Sequence, residues 1–191
     1  MEPKSLDLII NELKKLPSSQ RSVLIAIDGY GGSGKSTFAA KLRTALSSAF
    51  VFNIDDFIIK EKITDSSSDK SVFDRSRLEQ QVLLPASRGE RIRYQRLIWK
   101  SNTLSEPITV PDVRYLIVEG ISSYHPDIAG YYDHKIWIDT PIEVARERGR
   151  ARDAGNENAQ HWDRWAENDL LYQKHFHPEL AADSIVSGTQ F

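Results

Sequence analysis

The chain has 191 residues, 40% hydrophobic and 27% charged, enough for one globular domain with a sizeable core. A formal net charge of -2 argues against a general nucleic-acid-binding surface, and the absence of cysteine excludes disulfides and thiolate zinc sites and suits a reducing cytoplasm. No apolar run approaches membrane-spanning length and residues 1–20 lack the shape of a signal peptide, so no membrane role is expected.

Leu6, Ile9, Ile10, Leu13 and Leu16 recur at helical spacing until Pro17, which predicts an amphipathic helix packed on a sheet. Val23-Leu24-Ile25-Ala26-Ile27 is short, apolar and rich in β-branched residues, and reads as a buried strand. Directly after it comes Gly29-Tyr30-Gly31-Gly32-Ser33-Gly34-Lys35-Ser36, followed by a helical segment from Lys35 to Leu46. Strand, glycine-rich turn and helix in that order give the Walker A pattern G-x-x-x-x-G-K-[ST] its meaning as a phosphate-binding loop. Backbone N–H groups must wrap a polyphosphate, so side chains have to be out of the way, and Gly29, Gly31, Gly32 and Gly34 provide that. The first helical turn then offers unpaired N–H groups and the positive end of its dipole. Lys35 brings a mobile point charge, the Ser36 hydroxyl a ligand for Mg²⁺, and Thr37 a further phosphate contact.

Phe50-Val51-Phe52-Asn53-Ile54 reads as a second strand ending in Asp55-Asp56-Phe57. In parallel sheets ligands gather at the carboxyl ends of the strands, so this acid pair is expected to face the phosphate loop. Thr64-Asp65-Ser66-Ser67-Ser68-Asp69 reads as a mobile loop. A helix is expected to open after Asp74 as N-cap and to close at Val82-Leu83-Leu84, before Pro85. Arg91 to Tyr94 and Leu97 to Trp99 suggest a hairpin or extended arm. Its Arg91, Arg93 and Arg96 are open between a substrate-covering and a solvated role.

Tyr115-Leu116-Ile117-Val118 is a third buried strand ending in Glu119-Gly120, where an acid completes a Mg²⁺ shell in a phosphate-loop protein. His134 to Asp139 is a fourth strand. Thr140 is the expected N-cap of the next helix, with Pro141 at its first position. That helix carries Arg146, Arg148, Arg150 and Arg152; Arg148 and Arg152 share a face and suit a lid that closes over phosphoryl groups, although taken alone a basic helix of this kind is more readily read as a solvated face. Asn158 to Phe176 reads as another helix, its aromatics serving packing, and Ser184-Ile185-Val186 as a last strand. His175 and His177 lack the i, i+4 spacing of a helical metal site.

The ordered set AIDGYGGSGKST, NIDDF, LIVEGI, IDTPIEVARERGRARD and PELAADSIVSG, spread from about residue 22 to 188, resembles the uridine kinase-like branch of phosphate-loop kinases, the group that includes phosphoribulokinases and pantothenate kinases. The resemblance implies a three-layer α/β fold with a mostly parallel sheet, helices on both faces, a lid and a substrate arm. One domain over 1–191 is expected, with an N-terminal helix within 1–20, a substrate-covering insertion at 58–112 and a lid at 146–160. It also implies an ATP-dependent kinase that uses Mg²⁺ and passes the γ-phosphoryl to a small-molecule alcohol, of nucleoside type in the uridine kinases. By motif position Asp55 corresponds to the acid that takes the acceptor proton near the metal, Glu119 to the acid of the Mg²⁺ shell, and Arg148 and Arg152 to the lid arginines. One departure stands out: Leu97 and Ile98 occupy the place of a polar Tyr-Asp pair in the uridine kinase arm. A nucleotide-dependent switch or ATPase is the competing reading. Against it stand the missing Asn-Lys-x-Asp motif and a lone Glu-Gly where motor ATPases carry Asp-Glu. A homo-oligomer is left open.

Overall fold

Alternation along the first strand sets the architecture. In β1 (Val23–Asp28) Val23, Ile25 and Ile27 face one hydrophobic cluster, while Leu24 and Ala26 face another. A strand buried on both faces needs helices on both sides. The structure, a computed structural model, describes residues 1–17, 21–62 and 71–190. The stretch 64–69, expected to be a mobile loop, lies outside them.

The first helix, α1 (Leu6–Lys15), is capped by Ser5 and buries Ile9, Ile10 and Leu13. It shares one face of the sheet with α2 (Lys35–Leu46), which adds Phe38, Leu42 and Leu46. β2 (Ala49–Asn53) follows and turns at once into a 3₁₀ segment, Ile54–Phe57, whereas the sequence reading carried the strand on to Ile54.

The opposite face is covered by an irregular helix. Asp74 caps α3 (Arg75–Leu78) by accepting from the Arg77 N–H at 3.0 Å. The helix then widens through a π turn at Glu79–Leu83 and continues into α4 (Leu84–Ser87). Pro85 was expected to lie beyond the helix. Instead it sits in the first turn of α4, because the wider π turn accommodates a residue with no N–H to give to the ladder.

An antiparallel arm follows. Its inner rungs are β3 (Arg93–Tyr94) and its outer rungs β4 (Leu97–Ile98), which pair with the returning β6 (Ile108–Thr109) and β5 (Thr103–Leu104) respectively. The expected hairpin is therefore real, but its two legs are 93–98 and 103–109, with Trp99 to Asn102 at the tip. Arg91, Arg93 and Arg96 are exposed on its outer side.

The chain then returns to the sheet with β7 (Tyr115–Glu119) and β8 (His134–Asp139). Next come α5 (Ile142–Arg152), a 3₁₀ turn at Glu157–His161, α6 (Trp162–Phe176) and α7 (Pro178–Ala181). β9 (Ser184–Ser187) closes the sheet. The strand order is β2-β7-β1-β8-β9, and all four pairings are parallel. Register places Glu119 beside Ile27 on one side and Asn53 on the other. The carboxyl ends of β1, β2 and β7 thus meet at one edge. The fold is a three-layer α/β sandwich with a five-stranded parallel sheet. Among the described residues no helix is long and apolar enough to cross a membrane.

Candidate active site

At that edge lies a cleft of about 1040 Å³. Its lining includes Gly31, Gly32, Gly34, Lys35, Ser36 and Thr37 of the loop and α2, Asp55 and Glu119 at the strand ends, and Arg148 and Arg152 of the helix after β8. Asn53 accepts the Asp55 N–H at 2.9 Å, which starts the 3₁₀ turn that brings Asp55 into the cleft. Its neighbour Asp56 is not part of the lining and lies under the influence of Arg96 and Arg77. The acid pair thus divides, one member into the cleft and one toward the arm.

Backbone shape accounts for the glycines. Gly32 has φ +79°, and a Cβ there would lie 2.1 Å from the Ala145 carbonyl oxygen. Only glycine fits a left-handed residue pressed against another backbone. Not all of the loop faces outward. Tyr30 is buried edge-on to Trp137, with its hydroxyl bonded to Gln173. Ser33 is fully buried and its hydroxyl has no hydrogen-bond partner among the described residues. Gly29, Tyr30 and Ser33 line the core beneath the loop rather than the cleft.

The electrostatics are those of a site built for a polyanion. Lys35 is buried and donates to the carbonyls of Gly29 at 3.0 Å and Tyr30 at 2.8 Å, so its ammonium is held at the loop. The Ser36 hydroxyl donates to Glu119 Oε1 at 3.1 Å. Burial raises the Glu119 carboxyl above its ordinary range; Lys35 opposes the rise and Asp55 adds to it. Surrounding protein likewise raises Asp55, against the pull of Lys35 and Arg152. Asp55 remains open to solvent through the cleft, so screening tempers that shift.

The two cleft arginines of α5 are held differently. Arg148 donates to the Gly188 carbonyl at 2.7 Å, and Arg152 forms two bonds to Asp153 at 3.1 and 3.2 Å. Arg146 and Arg150 turn the other way, toward Asp163. Thr140 is not the N-cap that the sequence suggests. Its hydroxyl donates to the Ser33 carbonyl at 2.9 Å, and the helix begins after Pro141. Trp162 packs against Gly149 and Gly31, donates to Asp153 at 2.9 Å and lies under the Arg152 guanidinium. The packing role expected for the aromatics holds for Tyr172 and for the buried Trp162, although Trp162 also lines the cleft, as does Trp165.

One group of residues escaped the sequence reading. Asp28 is fully buried at the end of β1; its Oδ1 accepts from Gly29 at 2.7 Å and Ser122 at 2.9 Å, and its Oδ2 from the Tyr172 hydroxyl at 3.0 Å. Burial pushes this carboxyl up to about 7, against the stabilising amides, Lys35 and Tyr172. Asp169, one turn before Tyr172, accepts from the Gly31 N–H at 2.8 Å. Asp169, Tyr172 and Gln173 therefore grip the loop from one face of α6, an i, i+3, i+4 spacing that the sequence does display.

The residues present fit a nucleotide with its metal. Arg148, Arg152 and Lys35 line a cavity large enough for a nucleotide with a small acceptor. Ser36, Glu119 and Asp55 are hard oxygen donors, and a carboxyl such as Glu119, raised by burial and by a neighbouring acid, is what a divalent cation relieves. Among the described residues no cluster of three His, Cys, Asp or Glu side chains could hold a metal unaided.

No protein-family model matches the chain. Solved structures do. A possible uridine kinase from Bacillus stearothermophilus superposes with a TM-score of 0.73 at 19% identity, over 95% of this chain and 97% of that one. A protein described as a fructose transport system kinase from a Silicibacter species gives 0.72 at 23% identity, over 96% and 98%. D-glycerate 3-kinase from Cryptococcus neoformans gives 0.62 at 9% identity, over 92% and 89%. Likeness of this extent at such identities is a likeness of fold: the chain shares its three-layer α/β architecture with these structures.

Proposed function

We propose that the chain is an ATP-dependent phosphotransferase that passes the γ-phosphoryl to the hydroxyl of a small molecule. The observation that carries this reading is convergence: Lys35 and Ser36 from α2, Asp55 after β2, Glu119 from β7, and Arg148 and Arg152 from α5 meet around one cleft. The three similar structures are described as kinases, which supports the same reading. The nucleoside acceptor of the uridine kinases falls within this class.

Each residue has a task. The amides of Gly32 and Gly34 and the start of α2 would cradle the phosphates, and Lys35 would leave its two loop carbonyls to meet phosphate oxygens. Thr37 would add a hydroxyl contact. Asp55 would orient the acceptor hydroxyl and take its proton at the carboxylate, a task suited to an acid whose pKa lies above the usual range. Arg148 and Arg152 would neutralise charge on the transferring group and help exclude water. Ser36, Glu119 and Asp55 would hold Mg²⁺, which when bound supplies positive charge to the donor's phosphate oxygens.

ADP release, measured with and without a panel of small alcohols, tests the reading. Release that depends on an acceptor supports it. Release at one rate whatever alcohol is added would instead indicate an ATPase or switch.

A further inference from the structure

The cleft has a second end, away from the phosphate loop, and its composition differs from the first. Its walls are Ile58, Val72, Phe73 and the exposed Trp99 at the arm tip. Three cations, Lys60, Lys62 and Lys100, line the same end. The carboxylates of the described lining are Asp55, Glu119 and Glu157, none of which comes from these segments.

The cationic end is assembled rather than scattered. Ile58 pairs with Phe73 in an isolated bridge, and the Ile59 N–H donates to the Val72 carbonyl at 2.8 Å, so the two walls are joined. Lys60 follows in a short 3₁₀ turn, Lys60–Lys62, and donates to the Trp99 carbonyl at 2.6 Å. Asn102 donates to Glu61 at 2.8 Å, which engages the one acid of the turn away from the cleft lining. These two bonds pin the arm tip to the turn and set Lys100 beside Lys60 and Lys62. Lys62 and Lys100 have no ion-pair partner among the described residues. Exposed lysines are most often a solvated face. Here three of them rim an apolar-walled recess whose far end holds the acid that would receive a hydroxyl proton.

We infer that the acceptor is an anionic alcohol, with its hydroxyl toward Asp55 and a carboxylate or phosphate toward Lys60, Lys62 and Lys100. This rests on the phosphotransferase reading above and narrows it. In the reaction the γ-phosphorus to bridging-oxygen bond breaks with its electrons leaving on ADP, a bond to the acceptor oxygen forms, and the hydroxyl proton passes to Asp55. The anionic group of the acceptor is unchanged and serves recognition. A cluster of one sign in a low-dielectric cleft raises the local concentration and on-rate of oppositely charged substrate. Leu97 is buried in the arm and Ile98 lies outside the cleft lining, so the pair that departs from the uridine kinase pattern offers no polar hold on a neutral nucleoside.

The test uses the full chain with ATP and Mg²⁺ and acceptors matched except for charge: glycerol against glycerate and glycerol 3-phosphate, ribose against ribose 5-phosphate, with uridine and cytidine as neutral nucleosides. Acceptor-dependent ADP release is read as kcat/KM. The expected result is a preference for the anionic member of a set by about tenfold or more. The carboxylate and phosphate arms distinguish the two anions. Lys62→Ala with Lys100→Ala should shrink that preference by a similar factor, and Lys100→Glu, at an exposed position, should turn it toward the neutral acceptor. Equal or better use of neutral acceptors, or a preference that survives both variants, overturns this inference and leaves the phosphotransferase reading standing. A panel in which no acceptor of either charge raises ADP release overturns that reading and this one with it.

Discussion

Replacing Asp28 by asparagine isolates the cost of ionising a carboxyl sealed behind the phosphate loop. Asparagine keeps the geometry: its Oδ1 accepts from Gly29 and Ser122, and its amide faces the Tyr172 oxygen. What it removes is the titration. The Asp28 pKa lies at about 7 in the folded chain against 3.8 for an unperturbed aspartate. Between these values the unfolded chain has released the proton that the folded chain still holds, so wild-type stability falls as pH rises toward 7 and levels off above it. One pKa unit corresponds to about 1.4 kcal/mol, and the interval from pH 5 to 7 spans about two of them. Wild type should therefore lose roughly 3 kcal/mol relative to Asp28→Asn between pH 5 and pH 8. Urea unfolding of both proteins at four pH values, followed by tryptophan fluorescence, gives the difference directly. Asp55, Asp56 and Glu119 titrate in both proteins and cancel to first order. A stability difference that stays flat across the range would refute the reasoning and show that Asp28 is ionised throughout.

Three further outcomes are expected. Asp55→Asn should keep nucleotide binding but lose phosphoryl transfer by roughly a hundredfold or more, and unchanged turnover would remove Asp55 from its role. Lys35→Ala should reduce turnover by roughly a hundredfold or more, while the two loop carbonyls it leaves unpaired lower the unfolding free energy by no more than about 3 kcal/mol; a fully active variant would contradict the phosphate-loop assignment. Gly32→Ala should cost about 1–3 kcal/mol for the left-handed backbone alone, with a further loss from its collision with the Ala145 carbonyl, and should weaken nucleotide binding in calorimetric titration. Wild-type affinity in that variant would mean that the loop's shape is not what holds the phosphates.

The parts of the site legible in the sequence are those made locally. Strand, loop and helix from Val23 to Leu46 adjoin in the chain, and their glycine spacing reports backbone shape. Asp55 and Glu119 were legible because each follows an apolar strand, and parallel strands end on the same edge. What escaped depends on distant partners. Asp28 and Tyr172 are 144 positions apart, and nothing near either residue announces the other. Thr140 looked like a helix cap because Thr-Pro is a common way to begin a helix, yet a bond to Ser33, 107 positions away, takes its hydroxyl. Pro85 looked like a terminator because the π turn that admits it has no simple sequence sign.

Trp162 carries a consequence for how this chain can change. Its ring would lie 2.3 Å from a Cβ at Gly149 and 3.1 Å from one at Gly31, so three positions from the loop, α5 and α6 share a single volume. No one of them is free to vary by itself. A methyl group at 149 requires a smaller ring at 162, and a smaller ring leaves Arg152 without its platform and Asp153 without its indole donor. Substitutions at these three sites should therefore be strongly non-additive, with pairs tolerated where each single change is not.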